Sequence, residues 1–106
     1  MPKYLFTGSY TAEGARGVIK DGGSKRRQAV ESLMRSLNGT LETHYFGFGS
    51  DDFYVIAELP DHAAAAAASL TVGASGTLGV RTIVLLTPEE IDDAARRSVQ
   101  YTPPGG

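Results

Sequence analysis

The chain has 106 residues, ten Lys and Arg against twelve Asp and Glu for a net charge of −2, and no cysteine. That length suits one two-layer domain and leaves no room for a second. The acidic balance argues against general nucleic-acid or membrane-surface binding, and the lack of cysteine excludes disulfides, a thiol nucleophile and a thiolate metal site.

Tyr4, Phe6, Gly8 and Tyr10 alternate with Leu5, Thr7 and Ser9, the period of two that predicts a strand over Lys3–Thr11. No signal-peptide pattern precedes it, so a cytoplasmic location is expected. Residues Ala12–Gly23 carry Gly14, Gly17 and the Gly22-Gly23 pair and read as a long loop, with room for a short helical turn over Ala15–Lys20. Val30, Leu33, Met34 and Leu37 then recur at helical spacing after Ser24, a candidate N-cap, and Asn38-Gly39 supplies a left-handed stop. A helix over Lys25–Leu37 follows.

Thr40–Phe48 and Phe53–Leu59 read as strands joined across the polar turn Gly49-Ser50-Asp51-Asp52, and Pro60 ends the second. Asp61 caps a helix through the alanines Ala63–Ala68 to about Leu70 or Val72, closed by Gly73 and Gly76. Thr77–Leu86 is the last predicted strand. Thr87-Pro88-Glu89-Glu90 spells N-cap, N1 proline and capping-box glutamate for a short helix to about Val99, with a disordered tail beyond about residue 101. No apolar run approaches the roughly 20 residues needed to cross a bilayer.

The order β-α-β-β-α-β predicts an α+β, ferredoxin-like sandwich: one antiparallel four-stranded sheet covered by helices on one face, plus a short C-terminal helix. The third and fourth strands are apolar on both faces, with Tyr54 and Ile56 opposing Phe53, Val55 and Ala57, and Ile83 and Leu85 opposing Val80 and Val84. One helix layer covers only one face. Pairing of sheets between identical chains, as a homodimer or higher homo-oligomer, is the expected way to bury the other.

Tyr4-Leu5-Phe6, Tyr10-Thr11-Ala12-Glu13-Gly14, Gly17-Val18-Ile19-Lys20-Asp21, Glu58-Leu59-Pro60-Asp61 and Leu86-Thr87-Pro88-Glu89-Glu90 together resemble the GYD domain family, over residues 3–96. The resemblance implies a small bacterial protein of the dimeric α/β-barrel, ferredoxin-like group and carries no established activity. The family's hairpin pattern has a glycine, a variable residue, a tyrosine and an aspartate. Here the run is Gly49-Ser50-Asp51-Asp52, so Asp51 stands where the tyrosine is expected.

No catalytic or metal motif stands out, and two isolated histidines without cysteine make no metal constellation. Gly47-Phe48-Gly49 lies between two strands and lacks the third glycine and following helix of a dinucleotide fingerprint. The basic run is the best lead. Lys20, Lys25, Arg26 and Arg27 stand near a predicted helix start, where phosphate or carboxylate could be held. Tyr4 and Tyr45 belong to an aromatic set suited to lining a pocket between sheet and helices.

Two readings of function follow, neither of which needs a cofactor or metal. The first is an accessory protein that binds a small, partly apolar ligand, with an anion the form that the basic run would hold. The second is a cofactor-independent oxygenase or isomerase in which His44 or Tyr10 moves a proton and Arg81 or Lys20 stabilises negative charge. His44 is expected beside Glu42 or Arg81, and His62 at the surface. A third reading, a purely structural oligomeric module, would have a filled core and no cavity.

Overall fold

A computed structural model describes residues Met1–Gly106. The chain runs β1 (Lys3–Tyr10), α1 (Ala12–Asp21), α2 (Gly23–Ser36), β2 (Thr40–Phe46), β3 (Phe53–Glu58), α3 (His62–Ala74), β4 (Leu78–Leu85) and α4 (Pro88–Arg96). The strands form one antiparallel sheet in the order β2-β3-β1-β4, which is the expected ferredoxin-like fold. Every strand lies within two or three residues of its predicted bounds. No helix is long and apolar enough to cross a membrane.

β1 pairs on both sides, with Phe6 opposite Val55 of β3 and Thr82 of β4. Alternation sends Tyr4 and Phe6 to one face with Phe53, Val55, Ala57 and Leu78, and there they join Val30 and Met34 of α2 and Ala65 and Ala68 of α3 in the core. α2 packs on β2 and α3 on β4. The small alanines of α3 let it sit close to the sheet, and Asp61 caps it by accepting from Ala64 N at 2.9 Å. Asn38 takes the left-handed conformation at φ 61° after α2, as its sequence position suggests.

Two features depart from the sequence reading. The glycine-rich stretch is helical, not a loop: Thr11 caps α1 by accepting from Gly14 N, and Gly14 faces the sheet. A Cβ at Gly14 would lie 1.8 Å from the Thr77 carbonyl oxygen, so this glycine serves close packing of helix on strand, with no break in the chain. Ser24 is not the N-cap of α2; Gly22, at φ 81°, takes that position without a side-chain cap.

β2 carries an irregularity between Leu41 and Thr43. Leu41 lies opposite Ala57 and His44 opposite Val55, so the parity of β2 changes at Glu42. His44 and Phe46 therefore turn toward the helices and Tyr45 turns away, the reverse of simple alternation.

The face away from the helices is open. Tyr45 is 69 % exposed there, with Tyr54 opposite it on β3, and Ile83 of β4 is 43 % exposed. Within this face Thr7 and Asp51 are nonetheless buried: the Thr7 hydroxyl lies 2.8 Å from Asp51 Oδ2 and 2.9 Å from the Phe53 carbonyl oxygen, and the Arg81 guanidinium pairs with the same carboxylate. Beyond β4 the chain leaves the body. No residue of α4 is buried, and the radius of gyration is 16.8 Å against roughly 13 Å for a compact domain of this size.

The two glycines of α1 make opposite predictions. Gly14→Ala should destabilise the fold by roughly 1–3 kcal/mol or more, because the clash is with backbone. Gly17→Ala meets nothing within 4 Å and should stabilise by about 0.5–1 kcal/mol through helix propensity. Urea unfolding of both variants measures the difference.

Candidate functional site

α2 brings one cation inward. Arg26 stands four residues before Val30 and eight before Met34, so it extends the core-facing stripe of the helix by one turn. Lys25 and Arg27 fall off that stripe; they are exposed and pair with Asp21 at 3.9 Å and Glu31 at 3.2 Å. Lys20 is exposed on α1. The spacing that singles out Arg26 was present in the sequence.

Two cavities meet at Arg26. The first, of about 40 Å³, lies between α2, α3 and the sheet, and its walls are apolar: Phe6, Val30, Leu33, Met34, Val72 and Val80 are among them. The second, of about 120 Å³, lies between α1 and α2 and has a mixed wall, with Glu13, Asp21 and Thr77 beside Tyr10, Val18 and Leu78. The Arg26 side chain contributes to both.

Tyr10 ends β1 on the helix side, 5.4 Å from the Phe53 ring between centroids, and its backbone N–H donates to Asp52 Oδ2 at 3.0 Å. Burial raises the Tyr10 phenol above its ordinary pKa; the neighbouring Arg26 opposes this, and Asp52 adds to it. His44 stacks 4.8 Å from Phe46, and its Nδ1 is buried without a hydrogen-bond partner. Burial, then the positive charges of Arg26 and Arg27, lower its pKa, so the imidazole is neutral near pH 7.

Tyr10 and Arg26 thus share the wall of the second cavity, and His44 lies on the same face of the sheet, within reach of the Arg26 charge. Arg81 does not join them. It pairs with Asp51 on the opposite face of the sheet, so the trio of His44, Tyr10 and Arg81 read from sequence is divided between two surfaces. His44 is also not beside Glu42 or Arg81, because the irregularity in β2 turns it inward. Tyr4 and Tyr45 are likewise separated. Tyr45 lies on the open face, whereas Tyr4 is in the core, with its hydroxyl 2.7 Å from Nδ1 of the exposed His62. That pair opens on a broad apolar groove of about 460 Å³ between α3 and β4.

The GYD domain family model matches residues 4–95. The chain belongs to the GYD domain family. No curated protein and no solved structure matches it. In this GYD protein the residue at the family's tyrosine position has a defined part: Asp51, 8 % exposed, accepts from Thr7 and neutralises Arg81. Asp52 accepts from the end of β1 and donates its own N–H to the Gly8 carbonyl oxygen at 2.7 Å, so it closes the hairpin onto β1. No group of three or more His, Cys, Asp or Glu is placed to hold a metal.

The lowered pKa of His44 gives a signed prediction. The unfolded chain takes a proton near the ordinary value of 6.5 and the folded protein only below it. Protonation therefore favours unfolding, and the stability linked to His44 is present above that value and lost as pH falls through the window beneath it. Thermal unfolding followed from about pH 8 to pH 5 should show a steeper loss for the wild type than for His44→Leu.

Proposed function

We propose that this GYD protein is a homo-oligomeric binding protein for a small, partly apolar anion held at Arg26 between the sheet and the helices. The observation that carries this reading is the inward turn of Arg26, the cation of the basic run that reaches the cavities. A carboxylate on Arg26 would gain a charge-assisted pair, and its apolar end would enter the cavity walled by Val30, Leu33 and Val72. The protonated Tyr10 phenol, in the wall of the second cavity, offers a hydrogen bond beside it, and neither it nor the neutral His44 adds a negative charge to repel the anion. The size of the cavities suits ligands of a few heavy atoms.

The chemistry of a proton-moving enzyme finds less support. Arg81, cast to stabilise negative charge, is occupied by Asp51 on the other face.

A nuclear magnetic resonance titration with short carboxylates, from acetate to hexanoate and benzoate, tests the binding reading. Saturable shifts at Tyr10, Val30 and His44 are expected. Arg26→Ala should weaken binding about tenfold or more, the loss of one charged hydrogen bond, while Arg27→Ala, already paired with Glu31, changes it little. Equal binding by Arg26→Ala would remove the site from consideration.

The homo-oligomer is proposed on the open sheet face, where Tyr45, Tyr54 and Ile83 lie uncovered. A charge at the centre of an apolar interface is strongly disfavoured. Ile83→Lys should therefore reduce the mass measured by light scattering toward the 11.2 kDa of one chain.

A further inference from the structure

α4 is built with care for a helix that buries none of its residues. Thr87 accepts from Glu90 N at 3.1 Å, Glu90 Oε1 accepts from Thr87 N at 2.9 Å, Pro88 occupies the first turn, and Arg97 pairs with Asp93 at 2.8 Å. Nine residues of isolated helix are marginal in water even with good caps. Yet Ile91 is 51 % exposed, and no residue of the helix is buried. A helix capped in this way and projecting from its own domain calls for a surface elsewhere.

Charge identifies that surface. Four of the twelve acidic residues fall in Glu89–Asp93, and five of the ten basic residues fall in Arg16–Arg27. Within the acidic group Glu89 and Asp92 have no cationic partner. Within the basic group Arg16 and Lys20 of α1 are exposed and have no acidic one. α1 also presents an outward stripe at i, i+3, i+4 and i+7, namely Ala12, Ala15, Arg16 and Ile19, and Ile19 is 84 % exposed. Each helix thus shows one exposed isoleucine with an unpaired charge about a quarter-turn away, Asp92 on α4 and Lys20 on α1, and the charges are opposite in sign.

The two helices of one chain leave from opposite ends of the sheet. The pairs Lys3 with Leu85 and Tyr10 with Leu78 put the exit to α4 at one end of the sheet and the start of α1 at the other. That separation is about 24 Å of strand, whereas the link Leu86–Thr87 spans about 7 Å.

We infer that α4 of one copy docks on the outward face of α1 of a second copy, with Ile91 against Ile19 and with Asp92, a quarter-turn from Ile91, against Arg16 and Lys20. Reciprocal exchange of the two arms closes a symmetric pair without leaving either helix bare. This contact is separate from the open sheet face, and neither requires the other.

The absence of native cysteine makes cross-linking a clean test. Ile19→Cys protein and Ile91→Cys protein are mixed, allowed to exchange subunits, oxidised gently and run without reductant. A disulfide-linked dimer holding one chain of each kind is expected. Adding Arg16→Glu and Lys20→Glu to the first protein should lower its yield about fivefold or more, the effect of roughly 1 kcal/mol. Adding Asp92→Lys to the second should restore it. A yield indifferent to these reversals would overturn the inference, as would links formed only between like variants. So would capture of α4 by the α3/β4 groove, read as a stronger link from Ile91→Cys to Leu70→Cys than to Ile19→Cys. The readout is the link between positions 19 and 91, not the mass of the oligomer, so loss of sheet pairing would leave it interpretable.

Discussion

β1 sits between β3 and β4 and shares hydrogen bonds with both, so its register decides which side chains reach the core and which reach the open face. A slip of one residue would turn Tyr4 and Phe6 outward and bring Leu5 and Thr7 beneath the helices. Gly8 helps to hold the register. A Cβ there would lie 1.9 Å from the Gly79 carbonyl oxygen, so no larger residue fits between β1 and β4 without moving backbone. The hairpin turn reinforces the same alignment, since Asp52 contacts β1 through both its backbone N–H and its carboxylate.

From that register the two faces acquire different chemistry. Beneath the helices the sheet is apolar and aromatic, and ionisable groups there are driven toward their neutral forms: burial raises Tyr10 and lowers His44. On the open face the buried carboxylate of Asp51 pairs with Arg81 and also accepts from the Thr7 hydroxyl. A carboxylate so little exposed would carry a large desolvation cost alone, which the arginine and hydroxyl offset together. The sheet therefore insulates two polar centres, one around Arg26 and one around Asp51, and residues adjacent in sequence can belong to different centres.

Much of the fold was legible because it follows from period and punctuation. Alternation marked the four strands, helical spacing marked α2, and Thr87-Pro88-Glu89-Glu90 spelled the start of α4 together with its capping box. α1 escaped because glycine has two meanings. Gly14 allows a close approach to Thr77, a requirement set by a partner more than sixty residues away, and local composition cannot distinguish that from a flexible loop. The divided trio of His44, Tyr10 and Arg81 has a similar origin. One extra residue near Glu42 reverses the facing of the rest of β2, and nothing in the alternation of Thr43, His44, Tyr45 and Phe46 announces it.

Arg26 shows the opposite case, in which a periodic signal reached further than the residue types it was read from. By residue type the stripe Val30, Leu33, Met34 and Leu37 begins with its first apolar member, yet the geometry of a helix continues the same face backward by one turn onto position 26. A cation there carries its long aliphatic stem along apolar neighbours and its guanidinium to the boundary of two cavities. Lys25 and Arg27, with the same charge and adjacent in sequence, are rotated about 100° to either side and find surface partners. What separates a solvated charge from a candidate ligand contact in this helix is angle about the axis, and that angle is set by the residues that form the core.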